Sequence, residues 1–269
     1  MSISGMPASK VPYDGITMPN VEFVGAADAF HRKKVDETDV AFMIRLVSEI
    51  EEVFERVGAK NIISFSGESV SGAALGSMPA PQGYWPAVRA LCDKYGILLH
   101  LDEVMCGTGR TGTYFAFEQE GIKPDIVTIG KGLGGGYAPI SAMIVNDKVL
   151  EVLRRGTSSF NHGHTFQAHA ICCAIALKVQ QIVKGEGLVE RCAEIGEKLA
   201  KLLDEAFHGA KYMAERRGRG LFQSIEFMLD PRTKTTLSKK TSSSEPKFNA
   251  LHSTWVLRCI LVRALLMGW

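Results

Sequence analysis

The chain has 269 residues, 46% of them hydrophobic and 22% charged, with a formal net charge of +2. That length suffices for one large α/β domain with a small appendage, and the near-neutral balance gives no case for a nucleic-acid or anionic-membrane partner. No stretch of about 18 apolar residues occurs, so no transmembrane helix is expected, and residues 1–10 lack the basic-then-apolar pattern of a signal peptide. Six cysteines (Cys92, Cys106, Cys172, Cys173, Cys192, Cys259) show no metal-ligand spacing and read as reduced thiols of a cytoplasmic protein.

In chain order, residues 1–20 are turn-rich and loosely held, and Val21-Glu22-Phe23-Val24 reads as a short strand. Thr38 or Asp39 caps a helix running to Val57, which Gly58 ends; Met43, Val47, Ile50, Phe54 and Val57 recur at helical spacing and predict its apolar face. Glu49, Glu51, Glu52 and Glu55 lie mainly off that face, on a solvated flank. Ile62-Ile63-Ser64-Phe65 reads as a buried strand with Glu68 at its end, residues 78–83 as a turn, and Tyr84 to Tyr95 as a helix that tolerates Pro86 in its first turn. An apolar run from Gly96 then ends in Asp102 and Glu103; His100 shares the Asp102 face and reads more readily as a satisfied core histidine than as a functional one. Residues 107–112 form a glycine-rich loop in which Arg110 ties loop to core.

Residues 140–145 alternate as a strand, and Asp147 caps a helix to Arg155. Residues 158–165 are polar; His162 and His164 make a weak metal pair with no third ligand. Thr165 stands directly before a helical run, 166–183, and a helix N-terminus favours phosphate through its free N–H groups; an ordinary threonine cap fits equally. Residues 188–207 predict an amphipathic helix, and 218–227 turn into a strand that starts a small C-terminal subdomain. A polar Ser/Thr/Lys run from 233 to 247 reads as a linker. The apolar residues 255–269 read either as an amphipathic helix or as an aberrant end from altered splicing or a truncated gene model, the latter preferred. The expected units are therefore 1–20, a large domain at 21–185, the start of a subdomain at 186–230, and a linker with tail at 231–269.

The chemistry gathers at two strand ends. The run Asp125-Ile126-Val127-Thr128-Ile129-Gly130 ends in Lys131, and glycines follow at 132 and 134–136. A lysine at the end of a buried strand, its amine desolvated, is a nucleophile able to form a Schiff base with an aldehyde cofactor. A surface lysine opening a Gly-rich turn fits this stretch as well. It is no nucleotide P-loop, since glycine rather than Ser/Thr follows the lysine. Ligands of open α/β sheets sit beyond the carboxyl ends of parallel strands, so Asp102 and Lys131 are expected in one crevice. Pyridoxal-phosphate chemistry uses such a pair, the lysine as cofactor anchor and the acid under the pyridine nitrogen.

Several further blocks accompany that pair: Ser66-Gly67-Glu68-Ser69-Val70-Ser71-Gly72-Ala73, Gly83-Tyr84-Trp85, Gly109-Arg110-Thr111-Gly112, Pro124-Asp125-Ile126, Tyr137-Ala138-Pro139-Ile140 and residues 162–169. In this order and spacing the chain resembles a class III aminotransferase, a fold type I pyridoxal-phosphate enzyme, over roughly residues 21–230. The resemblance implies an α/β fold, a three-layer α-β-α arrangement around a mostly parallel sheet, and pyridoxal 5'-phosphate as cofactor. By the same resemblance Lys131 is the Schiff-base lysine, Asp102 the acid under the ring nitrogen, and Val104 the apolar residue on a ring face. Thr165 is the hydroxyl that reaches the partner subunit's cofactor phosphate in a homodimer, and Glu68 lies on the substrate side. An amino donor and a keto acceptor are the implied substrates.

Departures accompany the likeness. Ser69 stands where the family often has proline, and Met105 and Cys106 stand where many members carry glutamine and a hydroxyl residue. Nothing before Glu68 matches the family's phosphate cradle or stacking aromatic, and no substrate-carboxylate arginine follows residue 230. A truncated non-catalytic homologue, and a decarboxylase or racemase on the same scaffold, are the alternatives.

Overall fold

The structure is a computed structural model and describes residues 2–236; the expected tail at 255–269 and most of the linker before it lie outside those residues. Two four-residue helices, α1 (Pro7–Lys10) and α2 (Ala29–Arg32), precede the long helix α3 (Asp39–Val57). The strand expected at 21–24 does not form: those residues are irregular and find no pairing partner, so β-propensity alone has nothing to pair with. Helix α3 has the expected ends. Thr38 caps it by accepting from the Ala41 N–H, and Gly58 closes it at φ 81°, a left-handed value that glycine adopts without a Cβ penalty. Its buried stripe is Phe42, Leu46, Ile50 and Phe54, so the expected face is rotated by about one residue, with Met43 and Val47 packed at its margin.

Strand β1 (Ser64–Glu68) starts later than the apolar run suggested, leaving Ile63 exposed, and β2 (Val70–Ser71) follows at once. The expected turn at 78–83 opens with a two-residue strand, β3 (Met78–Pro79), antiparallel to β2. Helix α4 (Tyr84–Tyr95) has the expected bounds, with Gly83 and Gly96 flanking it in left-handed conformation. It crosses over to β4 (Leu98–Asp102), and β5 (Ile126–Ile129) and β6 (Ala142–Val145) complete the sheet. The strand order is β1-β4-β5-β6; the first three are parallel and β6 is antiparallel to β5.

Alternation divides the sheet residues. Leu99 and Leu101 of β4 are fully buried against α3 and α4, together with Trp85, Val88, Cys92 and Ile97. Their alternates Leu98, His100 and Asp102 remain half-buried on the other side. His100 is the satisfied histidine that was expected: its ring nitrogens lie 3.0 Å from Ser66 Oγ and 3.2 Å from Thr128 Oγ1, bridging β1 to β5, and burial pulls the imidazole pKa down.

Helices α5 (Asp147–Arg155), α6 (Ala170–Gly185) and α7 (Leu188–Ala206) follow, then the hairpin β7 (Met213–Arg219) and β8 (Phe222–Phe227). The cap of α5 is Asn146, which accepts from the Val149 N–H, one residue before the expected Asp147. The hairpin is tied back by buried charge. His31 reaches Asp28 Oδ2 at 2.7 Å and Glu226 Oε1 at 2.8 Å, and Arg217 pairs with Glu226 while donating to the carbonyls of Leu75 and Gly76.

The 109–112 loop, α7 and the hairpin turn meet through glycines. A Cβ at Gly196 on α7 would collide with the backbone of Gly220, and one at Gly220 would meet the backbone of Thr111 and Gly112. Backbone cannot yield as a flexible side chain can, so Gly196→Ala is expected to destabilise the chain by roughly 2–3 kcal/mol, read as a lower urea midpoint with an unchanged m-value.

Candidate active site

Residues Glu68, Asp102 and Thr128 lie in register across the carboxyl ends of β1, β4 and β5. Parallel neighbours are roughly 4.8 Å apart, so Glu68 and Asp102 emerge side by side on one face of the sheet. Asp102 is steadied through its own Oδ1, which accepts from the Val104 N–H at 2.9 Å. Glu68 accepts from Ser71 Oγ at 2.6 Å and the Gly72 N–H at 3.3 Å. Burial pushes the Glu68 carboxyl up; those two donors and the charge of Lys131 oppose the push, and the charge of Asp102 adds to it. Glu68 therefore lies within electrostatic reach of both Asp102 and Lys131.

Two residues past the end of β5, Lys131 opens a short 3-10 turn, residues 131–133, at φ 33°. A left-handed lysine costs roughly 1–2 kcal/mol, and such strain gathers at functional sites. The loop is held by the Leu133 N–H donating to the Gly130 carbonyl at 2.8 Å. From α6, Gln180 Nε2 donates to the Leu133 carbonyl at 2.9 Å, and Tyr114 Oη donates to Gln180 Oε1 at 2.9 Å. Gln180 carried no sequence signal, because its role is visible only once α6 is laid against the loop. Val104 belongs to the same cluster: a Cβ at Gly130 would touch Val104 Cγ1 at 3.4 Å.

Two expectations are corrected. Lys131 is exposed, so the described residues do not desolvate its amine; the strand ends at Ile129 and carries the lysine out on the turn. Thr165 does not stand at a helix N-terminus, since residues 165–168 form a turn and α6 begins at Ala170. Ala168 sits at φ 52°, a left-handed value that a continuous right-handed helix through 166–170 does not allow. Thr165, His162 and His164 are all exposed, and no described hydrogen bond or ion pair links them to Glu68, Asp102, Val104 or Lys131. Among the described residues no group of three or more His, Cys, Asp or Glu side chains is placed to hold a metal ion.

The departures at 105 and 106 have a packing role. Cys106 is buried and Met105 packs with it beside Val70 and Phe222. Arg110 donates from Nε to the Met105 carbonyl at 2.7 Å, tying its loop to the core as expected. Met105 Sδ also lies against Gly72, whose N–H donates to Glu68, so the segment packs between the hairpin and the Glu68 edge of the crevice.

The ring-side residues fit a pyridoxal group. An amine on a strained turn, a carboxylate one strand away and an apolar side chain against the base of the lysine loop are the features such a ring requires.

Comparison with known proteins agrees. The family model for aminotransferase class-III matches residues 1–245, and the chain belongs to that family. An aminotransferase of Gibberella zeae is 41% identical over 87% of this chain and 46% of its own length. The diaminobutyrate–2-oxoglutarate transaminase of Halomonas elongata is 37% identical over 86% of the chain and 50% of its own. A solved omega transaminase from Pseudomonas jessenii, in complex with PMP, superposes with a TM-score of 0.82 at 33% identity, covering 87% of this chain and 52% of that one. The α/β class with a mostly parallel sheet is thus that of the transaminases. The chain spans about half the length of the curated relatives it matches.

Proposed function

We propose that this chain carries the catalytic lysine of a pyridoxal-phosphate-dependent aminotransferase, which moves an amino group from an amine or amino acid to a keto acid or aldehyde. The bound cofactor would supply an electron sink that stabilises negative charge at the substrate carbon. The observation that carries this reading is the gathering of Lys131, Asp102, Val104 and Glu68 at the carboxyl edge of three parallel strands.

In this reading Lys131 would hold the cofactor through Nζ, and its amine would serve as general base and acid for the proton at the substrate carbon. Asp102 would hold the proton on the pyridine nitrogen. Val104 would pack against the ring, and Glu68 would lie on the substrate side.

Thr165 reaches the phosphate of the partner subunit's cofactor in a homodimer. Its exposure, together with that of Tyr137, Phe160, Phe166 and Ile171, is what a surface awaiting a partner would present. No helix of the described residues is long and apolar enough to cross a membrane, and the buried free thiols Cys92, Cys106 and Cys192 suit a cytoplasmic protein.

The test is to incubate the chain with pyridoxal phosphate and a panel of amino donors, then assay keto product. Keto product that depends on both donor and an acceptor carbonyl is expected. Carbon dioxide release or loss of optical activity, without keto product, would move the reading to a decarboxylase or racemase. No product and no cofactor uptake would make the chain a non-catalytic homologue.

A further inference from the structure

We propose that the buried hydrogen bond between Ser69 and Glu103 is the brace that sets the spacing of Glu68 and Asp102, which makes Ser69 and Glu103 positioning residues of the site. The inference rests on the functional reading above for what the site does, but not for the brace itself.

Each partner of the brace is the chain neighbour of a crevice carboxylate. Glu68 and Asp102 are register partners at the ends of β1 and β4. One residue further on, at the bend after β1 and just past the end of β4, the side chains turn into the core. There Ser69 and Glu103 are 1% and 0% exposed, and Ser69 Oγ donates to Glu103 Oε1 at 2.6 Å.

Both ends are anchored. The Ser69 carbonyl accepts from the Trp85 indole N–H at 3.0 Å. The Glu103 N–H donates to the Thr128 carbonyl of β5 at 2.8 Å, and its carboxylate also accepts from the N–H groups of Ala116 at 2.7 Å and Phe117 at 2.9 Å. Burial pushes the Glu103 carboxyl up, and these neutral donors draw it back. Space for the carboxylate depends on Gly107, where a Cβ would sit 2.9 Å from Glu103 Oε2.

Proline would fix φ through its ring but has no hydroxyl. Here the restraint on the residue after Glu68 is a side-chain bond to the neighbouring strand, so β1 and β4 are tied together at the crevice itself.

The experiment reads Glu68 in the chain without cofactor, by NMR of carboxyl-labelled glutamates, with the Glu68 resonance assigned by its loss in Glu68→Gln. The groups facing that carboxyl are Asp102, Lys131, Ser71 Oγ and the Gly72 N–H. In Ser69→Ala the Glu68 titration is expected to move down toward the ordinary glutamate range, as the carboxyl gains water and separates from Asp102; Ser69→Thr, which keeps the hydroxyl, should restore it. Should Ser69→Ala fail to fold, Ser69→Cys keeps the volume with a weak donor and is read in the same way. A folded variant whose Glu68 titration has not moved would reduce Ser69 to a core polar residue and overturn the brace. Because no cofactor is present, a moved Glu68 without amino transfer would sink only the functional reading, and amino transfer with an unmoved Glu68 only the brace.

Discussion

Replacing Lys131 with alanine will abolish lysine-dependent cofactor absorbance and lower amino transfer by on the order of 10³-fold or more. The size of the effect follows from one side chain doing two jobs, holding the cofactor covalently and moving the substrate proton. The fold should be indifferent, because Lys131 is exposed and makes no described salt bridge. Alanine at φ 33° keeps the same backbone strain, so stability should stay within about 0.5 kcal/mol, as for other surface substitutions. Difference spectroscopy with pyridoxal phosphate, alongside urea melts of both proteins, checks both halves of the expectation. Retained absorbance in the alanine variant would mean that another amine carries the cofactor.

The second large effect concerns Asp125, which lies just before β5 and is 4% exposed. Its carboxylate accepts from the Leu99 N–H at 2.8 Å, Arg89 Nη1 at 2.7 Å and Asn146 Nδ2 at 2.9 Å, so one side chain joins β4, α4 and the cap of α5. Asp125→Ala strips Arg89 Nη1, the buried Leu99 N–H and Asn146 Nδ2 of their acceptor, while Asp93 still accepts from Arg89 Nε and Nη2; leaving buried donors unsatisfied costs roughly 1–3 kcal/mol. Burial pushes the Asp125 carboxyl up, but the three donors outweigh it and hold the group below its ordinary value. The folded state therefore binds this proton more weakly than the unfolded chain. The contribution is complete above the unfolded aspartate value of about 3.9 and is lost as pH falls through the lower folded one. Urea unfolding from pH 7 down to pH 3 should show the gap between wild type and Asp125→Ala closing only at the acid end. A gap that is constant across that range would mean that packing, not charge, is the source of the effect.

Much of the scaffold was legible because the chain marks its own boundaries. Gly83 and Gly96 bracket α4, and Thr38 and Gly58 bracket α3; these residue types end helices by local chemistry that needs no tertiary context. The strand ends carrying Asp102 and Lys131 were legible for a related reason: each is a short apolar run stopped by a polar group. What depended on packing was misread. The apolar stripe of α3 is wide enough that period alone left its centre uncertain by a residue. Residues 21–24 have strand propensity but no neighbour to pair with. Thr165 looks like a helix cap in sequence, yet the exposed turn that follows delays α6 to Ala170.

The site was half legible. Asp102 and Lys131 stood out by type and position and Glu68 and Val104 only through the family resemblance, whereas Glu103, Gln180 and the Ser69 hydroxyl did not. Their roles lie in hydrogen bonds to segments 34, 47 and 48 residues away, and no local pattern reports such distances.

If Lys131 anchors the cofactor, its amine must react with the aldehyde ahead of the other surface lysines. The most direct measurement is to treat the chain with pyridoxal phosphate, fix the adduct with borohydride, and map the label by peptide mass spectrometry. The phosphopyridoxyl mass is expected on Lys131 at the lowest cofactor excess, before any other lysine is modified. Label spread over Lys60, Lys94, Lys148 and the other exposed lysines, with no preference for Lys131, would contradict it.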